Sequence, residues 1–131
     1  MAESLFTKII KGEIPSFKVY EDENTFVFLD IYPIQPGHTL VVPKIQTDYL
    51  WNMDDQDYIN LMKTVKKIAN RLKNVSTKPY VGLKVIGIDI EHAHVHLIPF
   101  SNMDEYNNIP DRSLPPDNKK LKEMADKLKF N

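Results

Sequence analysis

Alternating apolar and polar positions in the first part of the chain predict β-strands. Residues 17–33, FKVYEDENTFVFLDIYP, contain two apolar runs separated by the polar turn DEN, a pattern that is typical of a hairpin. The segment YPIQPG then breaks the second strand. The stretch 38–44, HTLVVPK, predicts a third strand because its β-branched residues favour an extended backbone.

Apolar residues three and four positions apart predict helices in three other segments. The longest helix begins at Asp54 and runs for about five turns, with an apolar stripe on one face and lysines on the other. A short helix begins after Ser4, a favourable N-cap, and ends at Gly12. A third helix lies in DNKKLKEMADKLK, residues 117–129. The stripe of the long helix consists of Tyr58, Leu61, Met62, Val65, Ile68, Ala69 and Leu72.

Two further strands are predicted by YVGLKVIGI, residues 80–88, and by HAHVHLIPF, residues 92–100. Together these elements predict an α+β fold: a mostly antiparallel sheet of about five strands, with one long helix and short terminal helices. A chain of 131 residues is typical of a single domain. We expect residues 1–131 to form that domain, with a core in residues 1–100 and a C-terminal extension with a helix in residues 101–131.

Composition and charge exclude several classes of protein. Seventeen basic and eighteen acidic residues give a net charge of −1, whereas an electrostatic nucleic-acid binder needs a basic excess. The chain contains no cysteine, which excludes disulfides, thiolate metal sites and a cysteine nucleophile. The N-terminus lacks the apolar run of a signal peptide and no segment is apolar enough to span a bilayer, so we expect a cytoplasmic protein without membrane contact.

Three of the four histidines occupy alternate positions in HAHVHLIPF. Residues two apart on a strand share a face, so His92, His94 and His96 are expected to point into a cleft or solvent. The alternating small and aliphatic residues Ala93, Val95 and Leu97 are then expected to face the core. The fourth histidine, His38, opens the predicted strand after QPG, where it could lie beside this row.

Three interpretations of this histidine row are possible. It could be a polar outer face, although histidine is an unusual choice for a solvated strand. It could bind a metal ion, but neighbouring positions are about 6.6 Å apart and the outer two about 13 Å, so a third ligand such as His38 or Asp89 would be required. It could also perform covalent chemistry, in which the central imidazole attacks phosphorus and its neighbours contact the phosphoryl oxygens.

The segment HAHVHLIPF resembles the signature of the histidine triad family, His-x-His-x-His followed by apolar residues. Two other blocks are similar to the same family. FLDIYPIQPGHTLVVPK resembles its second hallmark, and SLFTKIIKGEIPSFKVYED resembles its usual N-terminus. The three blocks span about the first hundred residues, in the order and spacing of the family.

The resemblance implies specific roles for individual residues. His94 matches the nucleophile, His96 and His92 match the residues that contact phosphate oxygens and orient it, and His38 matches a supporting hydrogen-bond partner. Asp30 matches the carboxylate that accepts hydrogen bonds from ribose hydroxyls. The resemblance further implies a homodimer. The residues that match the apolar walls of the base pocket are Leu5, Phe6, Ile9, Phe28, Leu29 and Ile31.

The resemblance also implies a reaction. A purine nucleoside phosphoramidate, or a related nucleoside monophosphate derivative, would be cleaved at the α-phosphorus through a nucleotidyl-histidine intermediate. Neither a metal nor another cofactor is needed, because protonated imidazole and backbone amides would supply positive charge. The alternatives are a dinucleoside polyphosphate hydrolase, a nucleotide-binding protein with little turnover, and a metal-binding protein.

One segment departs from the family pattern. Residues 86–91, IGIDIE, lack the asparagine, glutamine and hydroxyl that many members have before the triad. Asp89 falls where a serine or threonine often assists the leaving group. A carboxylate there would disfavour an anionic leaving group and favour an amine, unless the short loop turns Asp89 into solvent.

A bulky run precedes the long helix. Tyr49, Leu50 and Trp51 are candidates for part of a dimer contact that would also use the helix around residues 55–73 and a sheet edge. The alternative is that these three residues pack onto the helix of their own chain.

Overall fold

A single antiparallel sheet organises the protein, as the sequence predicts. The computed structural model of the chain describes residues 2–130. The strands lie in the order β1-β2-β3-β5-β4, so β1 and β4 form the two edges. The strands are β1 (Lys18–Glu21), β2 (Thr25–Leu29), β3 (Thr39–Pro43), β4 (Tyr80–Lys84) and β5 (Val95–Phe100).

The helices lie where the apolar periodicity predicts them, with two short additions. Helix α1 begins after Ser4, whose Oγ accepts a hydrogen bond from the backbone N–H of Thr7 at 3.0 Å. The long helix has 21 residues and is therefore almost one turn longer than predicted. The 3-10 helix Leu50–Asn52 and the one-turn helix α3 were not predicted. The α-helices are α1 (Leu5–Ile10), α2 (Asp55–Val75), α3 (Met103–Tyr106) and α4 (Asn118–Leu128).

Both faces of the sheet are covered by helices. Helices α2 and α4 cover one face, where buried residues such as Val41, Leu61 and Leu97 form the main core. On the other face α1 packs a smaller cluster, which consists of Phe6, Ile9, Phe26, Phe28, Leu40 and Val42. Ala93, Val95 and Leu97 lie in the main core, as predicted. Because alternate strand residues point to opposite faces, His96 points towards the α1 side.

The two strands nearest the histidines are shorter than predicted. β4 ends at Lys84, and β5 begins only at Val95. Residues 85–94 form a loop, in which the backbone N–H of Ala93 donates to the carbonyl of Thr47 at 2.7 Å. The prediction of one flat strand from residue 92 is therefore wrong. Within residues 2–130, no helix combines the length and the hydropathy needed to cross a bilayer.

Candidate active site around the histidine cluster

A cavity of about 390 Å³ opens on the α1 side of the sheet, and we call it the histidine cavity. His94 and His96 lie in its wall together with Asp30 and Asp89. Its apolar lining comes from α1, from β2 and from the loop before β5. The apolar wall residues include Phe6, Ile9, Ile14, Phe28, Leu29, Ile31, Leu40, Ile86, Ile88 and Ile90.

Most of the residues expected to form the base pocket lie in this wall. Phe6 and Ile9 are three apart on α1, so they share the face that packs on the sheet. Phe28, Leu29 and Ile31 come from the end of β2 and the segment after it. Leu5 is different: it lies outside the wall and is 45% exposed, because it points away from the face that Phe6 presents. Its predicted place in the pocket is therefore wrong.

His94 has one ring nitrogen engaged and one available. Its Nδ1 lies 2.7 Å from the carbonyl oxygen of His92. A carbonyl oxygen can only accept a hydrogen bond, so Nδ1 bears the proton. In the neutral ring Nε2 then keeps its lone pair, which is the form that a nucleophile requires. The ring of Phe6 packs edge-on at 5.0 Å and restricts how the imidazole can turn.

His92 is placed differently from the sequence expectation. It is fully buried and outside the cavity wall, and both of its ring nitrogens are engaged inside the protein. Nε2 donates to the carbonyl of Pro43 at 2.8 Å, and Nδ1 accepts from the hydroxyl of Ser4 at 2.7 Å. The predicted contact between His92 and phosphate oxygens is therefore wrong. The orienting role of His92 stays a prediction, and the contact that the structure shows with His94 is made by the His92 backbone carbonyl rather than by its ring.

A hydrogen bond joins the rings of His38 and His96, and its direction follows from the other partner of His38. The backbone N–H of Ile34 donates to Nδ1 of His38 at 3.0 Å, so the proton of the neutral His38 ring lies on Nε2. That Nε2 lies 2.9 Å from Nδ1 of His96, which must accept. The remaining proton of His96 is consequently on its Nε2. His96 therefore has an N–H available for the cavity that its ring lines.

Burial keeps this pair uncharged. It lowers the pKa of His38 to about 4, with further lowering by the positive charges of Lys84 and Arg112. Burial likewise lowers the pKa of His96 to about 4, with help from the neighbouring His38 and His94. At neutral pH neither ring is an imidazolium. The expectation that protonated imidazole supplies positive charge during the reaction therefore stays a prediction for these two residues.

Asp30 stands beside this pair at the end of β2. Its Oδ1 accepts from the backbone N–H of Tyr32 at 2.9 Å, and its Oδ2 lies 3.6 Å from Nε2 of His38. Burial raises the pKa of this carboxyl, an effect that the hydrogen bond from Tyr32 opposes. Asp30 thus offers acceptor oxygens in the wall where a ribose was expected.

Asp30, His38 and His96 also form a group whose spacing suits a metal ion, with ligand atoms within 4.8 Å of one another. Coordination by Nε2 of His38 would require the proton to move to Nδ1. Nδ1 faces the N–H of Ile34, so two donors would then oppose each other. The hydrogen bonds from Ile34 to His38 and from His38 to His96 therefore favour two neutral rings over a metal site.

The loop before β5 forms one side of the cavity. Ile86, Ile88 and Asp89 all lie in the wall, so the predicted position of Asp89 near the site agrees with the structure. Gly87 has a positive φ of 75°, and a Cβ there would lie 2.4 Å from the ring of Tyr49. The aromatic ring therefore packs directly on the loop backbone and holds it at the cavity mouth.

Sequence reasoning missed Arg112. This residue belongs to the C-terminal extension, yet it lines the histidine cavity. Its guanidinium lies 5.7 Å from the ring centroid of Tyr32, another cavity residue. One sequence signal was available: Arg112 is one of only two arginines in a chain that otherwise uses lysine.

The comparisons with known proteins identify the family of the chain. The HIT domain model matches residues 11–103. An uncharacterized HIT-like protein of Borreliella burgdorferi is 37% identical over 138 aligned positions, covering 100% of this chain and 99% of that protein. Adenosine 5'-monophosphoramidase HNT1 of Candida albicans is 39% identical over 107 positions, covering 75% of this chain and 70% of that protein.

A solved structure has a similar fold. The crystal structure of a Hit-like protein involved in cell-cycle regulation from Bartonella henselae superposes with a TM-score of 0.81 at 32% identity. The match covers 96% of this chain and 94% of that one. The domain match, the similarity along the chain and the shared fold lead to one conclusion: the chain belongs to the histidine triad (HIT) family.

Proposed function

We propose that the protein hydrolyses purine nucleoside 5'-phosphoramidates, or related nucleoside monophosphate derivatives, at the α-phosphorus. The observation that carries this proposal is the pair of free ring positions in one cavity. His94 has an unprotonated Nε2, and His96 has a protonated Nε2, as their hydrogen-bond partners dictate. A nucleophile and a hydrogen-bond donor are what attack on a phosphoryl group requires.

In the first step Nε2 of His94 forms a bond to phosphorus while the bond from phosphorus to the leaving amine breaks. The leaving nitrogen takes a proton from solvent water and departs as the amine. The positive charge that develops on the attacking ring is met at Nδ1–H by the carbonyl of His92, already 2.7 Å away. The Nε2–H of His96 donates to a non-bridging oxygen, and its own Nδ1 is held by His38.

In the second step a water oxygen forms a bond to phosphorus and releases a proton to solvent. The bond between phosphorus and Nε2 of His94 breaks, its electron pair returns to Nε2, and the nucleoside monophosphate is released. Asp30 accepts hydrogen bonds from the ribose, and the apolar wall takes the base. Three relatives named adenosine 5'-monophosphoramidase support this choice of substrate over the alternatives. The activity proposed here uses no metal.

Replacement of His94 by Asn tests the proposal. Wild-type protein incubated with an adenosine 5'-phosphoramidate is expected to release AMP and to form a transient protein adduct. His94→Asn should lower kcat by several orders of magnitude, because it removes the nucleophile, while AMP binding and thermal stability change little.

The matched control is Glu91→Gln, which changes an exposed residue outside the cavity wall and leaves the nucleophile intact, so its kcat should equal that of the wild type. Turnover by His94→Asn at a near-normal rate would refute the assignment of the nucleophile. A second arm repeats the assay after prolonged treatment with a chelator. Loss of activity that zinc restores would favour metal chemistry at Asp30, His38 and His96 instead.

A further inference from the structure

The charges of the histidine cavity do not balance those of the substrate proposed above. The α-phosphate of a nucleoside phosphoramidate is an anion, whereas Asp30 and Asp89 in the wall are carboxyl groups. His38 and His96 are uncharged at neutral pH, because burial holds the pKa of each at about 4. An anionic ligand in a partly desolvated cavity requires a compensating positive charge.

Arg112 carries a positive charge in this wall. Among residues 2–130, it is the only lysine or arginine in the cavity wall. Its charge lowers the pKa of both His38 and Asp30, although burial has the largest effect on each. The field of the guanidinium therefore reaches Asp30 and His38, beside the His96 ring that lines the cavity.

The extension that carries Arg112 is fastened to the cavity rim on both sides. The Asn108 side chain donates to the carbonyl of Ile34 at 3.0 Å, and the Tyr32 hydroxyl donates to the carbonyl of Leu114 at 3.0 Å. Both anchors are in the segment that follows Asp30. The backbone is thus held while the Arg112 side chain stays exposed and makes no ion pair with any residue that the structure describes.

We propose that the Arg112 guanidinium binds the anionic phosphate of the substrate and makes the cavity select phosphorylated over unphosphorylated nucleosides. This inference rests on the proposed function and assigns a specificity-determining residue to it. The planar guanidinium presents paired N–H donors that match two phosphate oxygens, which a lysine cannot do. Arg112 lies outside the residues 11–103 that match the family domain, so the contact belongs to this chain's C-terminal extension.

Calorimetric binding of AMP and of adenosine separates a phosphate contact from a merely structural role. Arg112→Gln should weaken AMP binding by about tenfold, since a charge-assisted hydrogen bond at an exposed rim is lost. Binding of adenosine should not change. Arg112→Lys should fall between wild type and Arg112→Gln, because it keeps the charge and loses the paired donors.

Lys119→Gln is the matched control, because it removes one exposed positive charge from the same extension at a position outside the cavity. It should leave both affinities unchanged. Increasing salt should weaken AMP binding by the wild type more than by Arg112→Gln.

An AMP-to-adenosine affinity ratio that stays the same in Arg112→Gln would overturn the inference. If Arg112→Gln weakens the binding of AMP and of adenosine equally, the ratio stays the same, and Arg112 only supports the cavity wall at Tyr32. Wild-type protein that binds neither ligand would contradict the proposed function, and the inference with it. Wild-type binding of both ligands with an unchanged ratio in the variant would refute the role of Arg112 alone.

Discussion

Four histidines of the same chemical type have four different environments in this fold, and each environment follows from the atom that faces Nδ1. A carbonyl faces Nδ1 of His94, so that nitrogen donates. A backbone N–H faces Nδ1 of His38, so that nitrogen accepts. Nδ1 of His92 accepts from Ser4, and Nδ1 of His96 accepts from His38. The backbone and side-chain partners of each ring thus determine which ring nitrogen remains available for chemistry.

The lowered pKa values of His38 and His96 predict how stability depends on pH. Both fall from about 6.5 to about 4 on folding, so the folded protein binds fewer protons than the unfolded chain between these values. Their contribution is therefore complete above about pH 6.5 and is lost as the pH falls towards 4. We expect the free energy of unfolding to decrease by on the order of 2 kcal/mol per histidine between about pH 7 and pH 5.

Urea unfolding across this range measures the effect, and His38→Asn provides the comparison. The variant lacks one of the three histidines whose pKa is lowered by burial, His38, His92 and His96. Its free energy of unfolding should therefore depend less steeply on pH, whatever its value at neutral pH. Carboxylates whose pKa is lowered, such as Glu21 and Asp22, lose their contribution only at lower pH. Equal slopes for the two proteins would contradict the low pKa of His38.

At the scale of elements, the long helix could be predicted almost completely from the sequence. The buried residues of α2 are Leu61, Thr64, Val65, Ile68 and Leu72, and four of them belong to the predicted stripe. Such periodicity is strong because one face of a helix must be apolar over many turns. Helix α3 was missed because it has only four residues and begins with a local cap, the Asn102 side chain accepting from the N–H of Glu105.

The candidate site could be predicted only in part, because several of its contacts depend on distant pairs. His92 was expected to face the cleft, but Ser4, 88 positions earlier, and the Pro43 carbonyl hold its ring inside the protein. Arg112 reaches the cavity only because the extension folds back over Tyr32. No local pattern in the sequence predicts the contacts of His92 or the position of Arg112 at the cavity.

The loop before β5 carries a prediction about substrate choice. Asp89 lies in the cavity wall, where its carboxylate would repel an anionic leaving group and tolerate an amine. We expect the wild type to have a higher kcat/KM for adenosine phosphoramidates than for dinucleoside polyphosphates. Asp89→Ser should shift the ratio between the two towards polyphosphates by roughly threefold to tenfold, since one like charge is removed.

Glu91→Gln is the control for this comparison, because it removes a negative charge two residues away that is exposed and outside the cavity wall. Its ratio should equal that of the wild type. If Asp89→Ser leaves this ratio unchanged, the Asp89 side chain points into solvent and has no effect on the leaving group. Polyphosphates as the better wild-type substrates would contradict the prediction itself.

At the scale of the whole molecule, the sheet leaves one edge that suits a second copy. Strand β4 is an edge strand, with Tyr80 and Leu83 largely exposed, and Ile86 and Ile88 follow it on the surface. The other edge, β1, begins with Lys18 and ends with Glu21, charged residues that discourage strand pairing. The apolar edge therefore favours β4 for the sheet contact of the expected dimer.

The bulky residues before α2, Tyr49, Leu50 and Trp51, were expected either to form part of a dimer contact or to pack onto their own chain. Leu50 is buried in the main core, and Tyr49 packs against Gly87, so both serve their own chain. Leu50 is therefore too deeply buried to form part of a dimer contact, whereas the place of the partly buried Tyr49 in such a contact stays a prediction. Trp51 is 64% exposed and remains available for such a contact.

Sedimentation measures whether the protein is a dimer, and a charged residue introduced on the edge strand β4 tests whether the dimer contact forms there. The wild type is expected to be a dimer at micromolar concentration, and Leu83→Lys should shift it towards the monomer, because a lysine on an edge strand opposes pairing with another strand. The matched control is Ile45→Lys, since Ile45 is 54% exposed and Leu83 48%, but Ile45 follows β3 rather than lying on β4. A wild-type monomer would refute the dimer. A dimer that survives Leu83→Lys but dissociates in Ile45→Lys would move the contact away from β4.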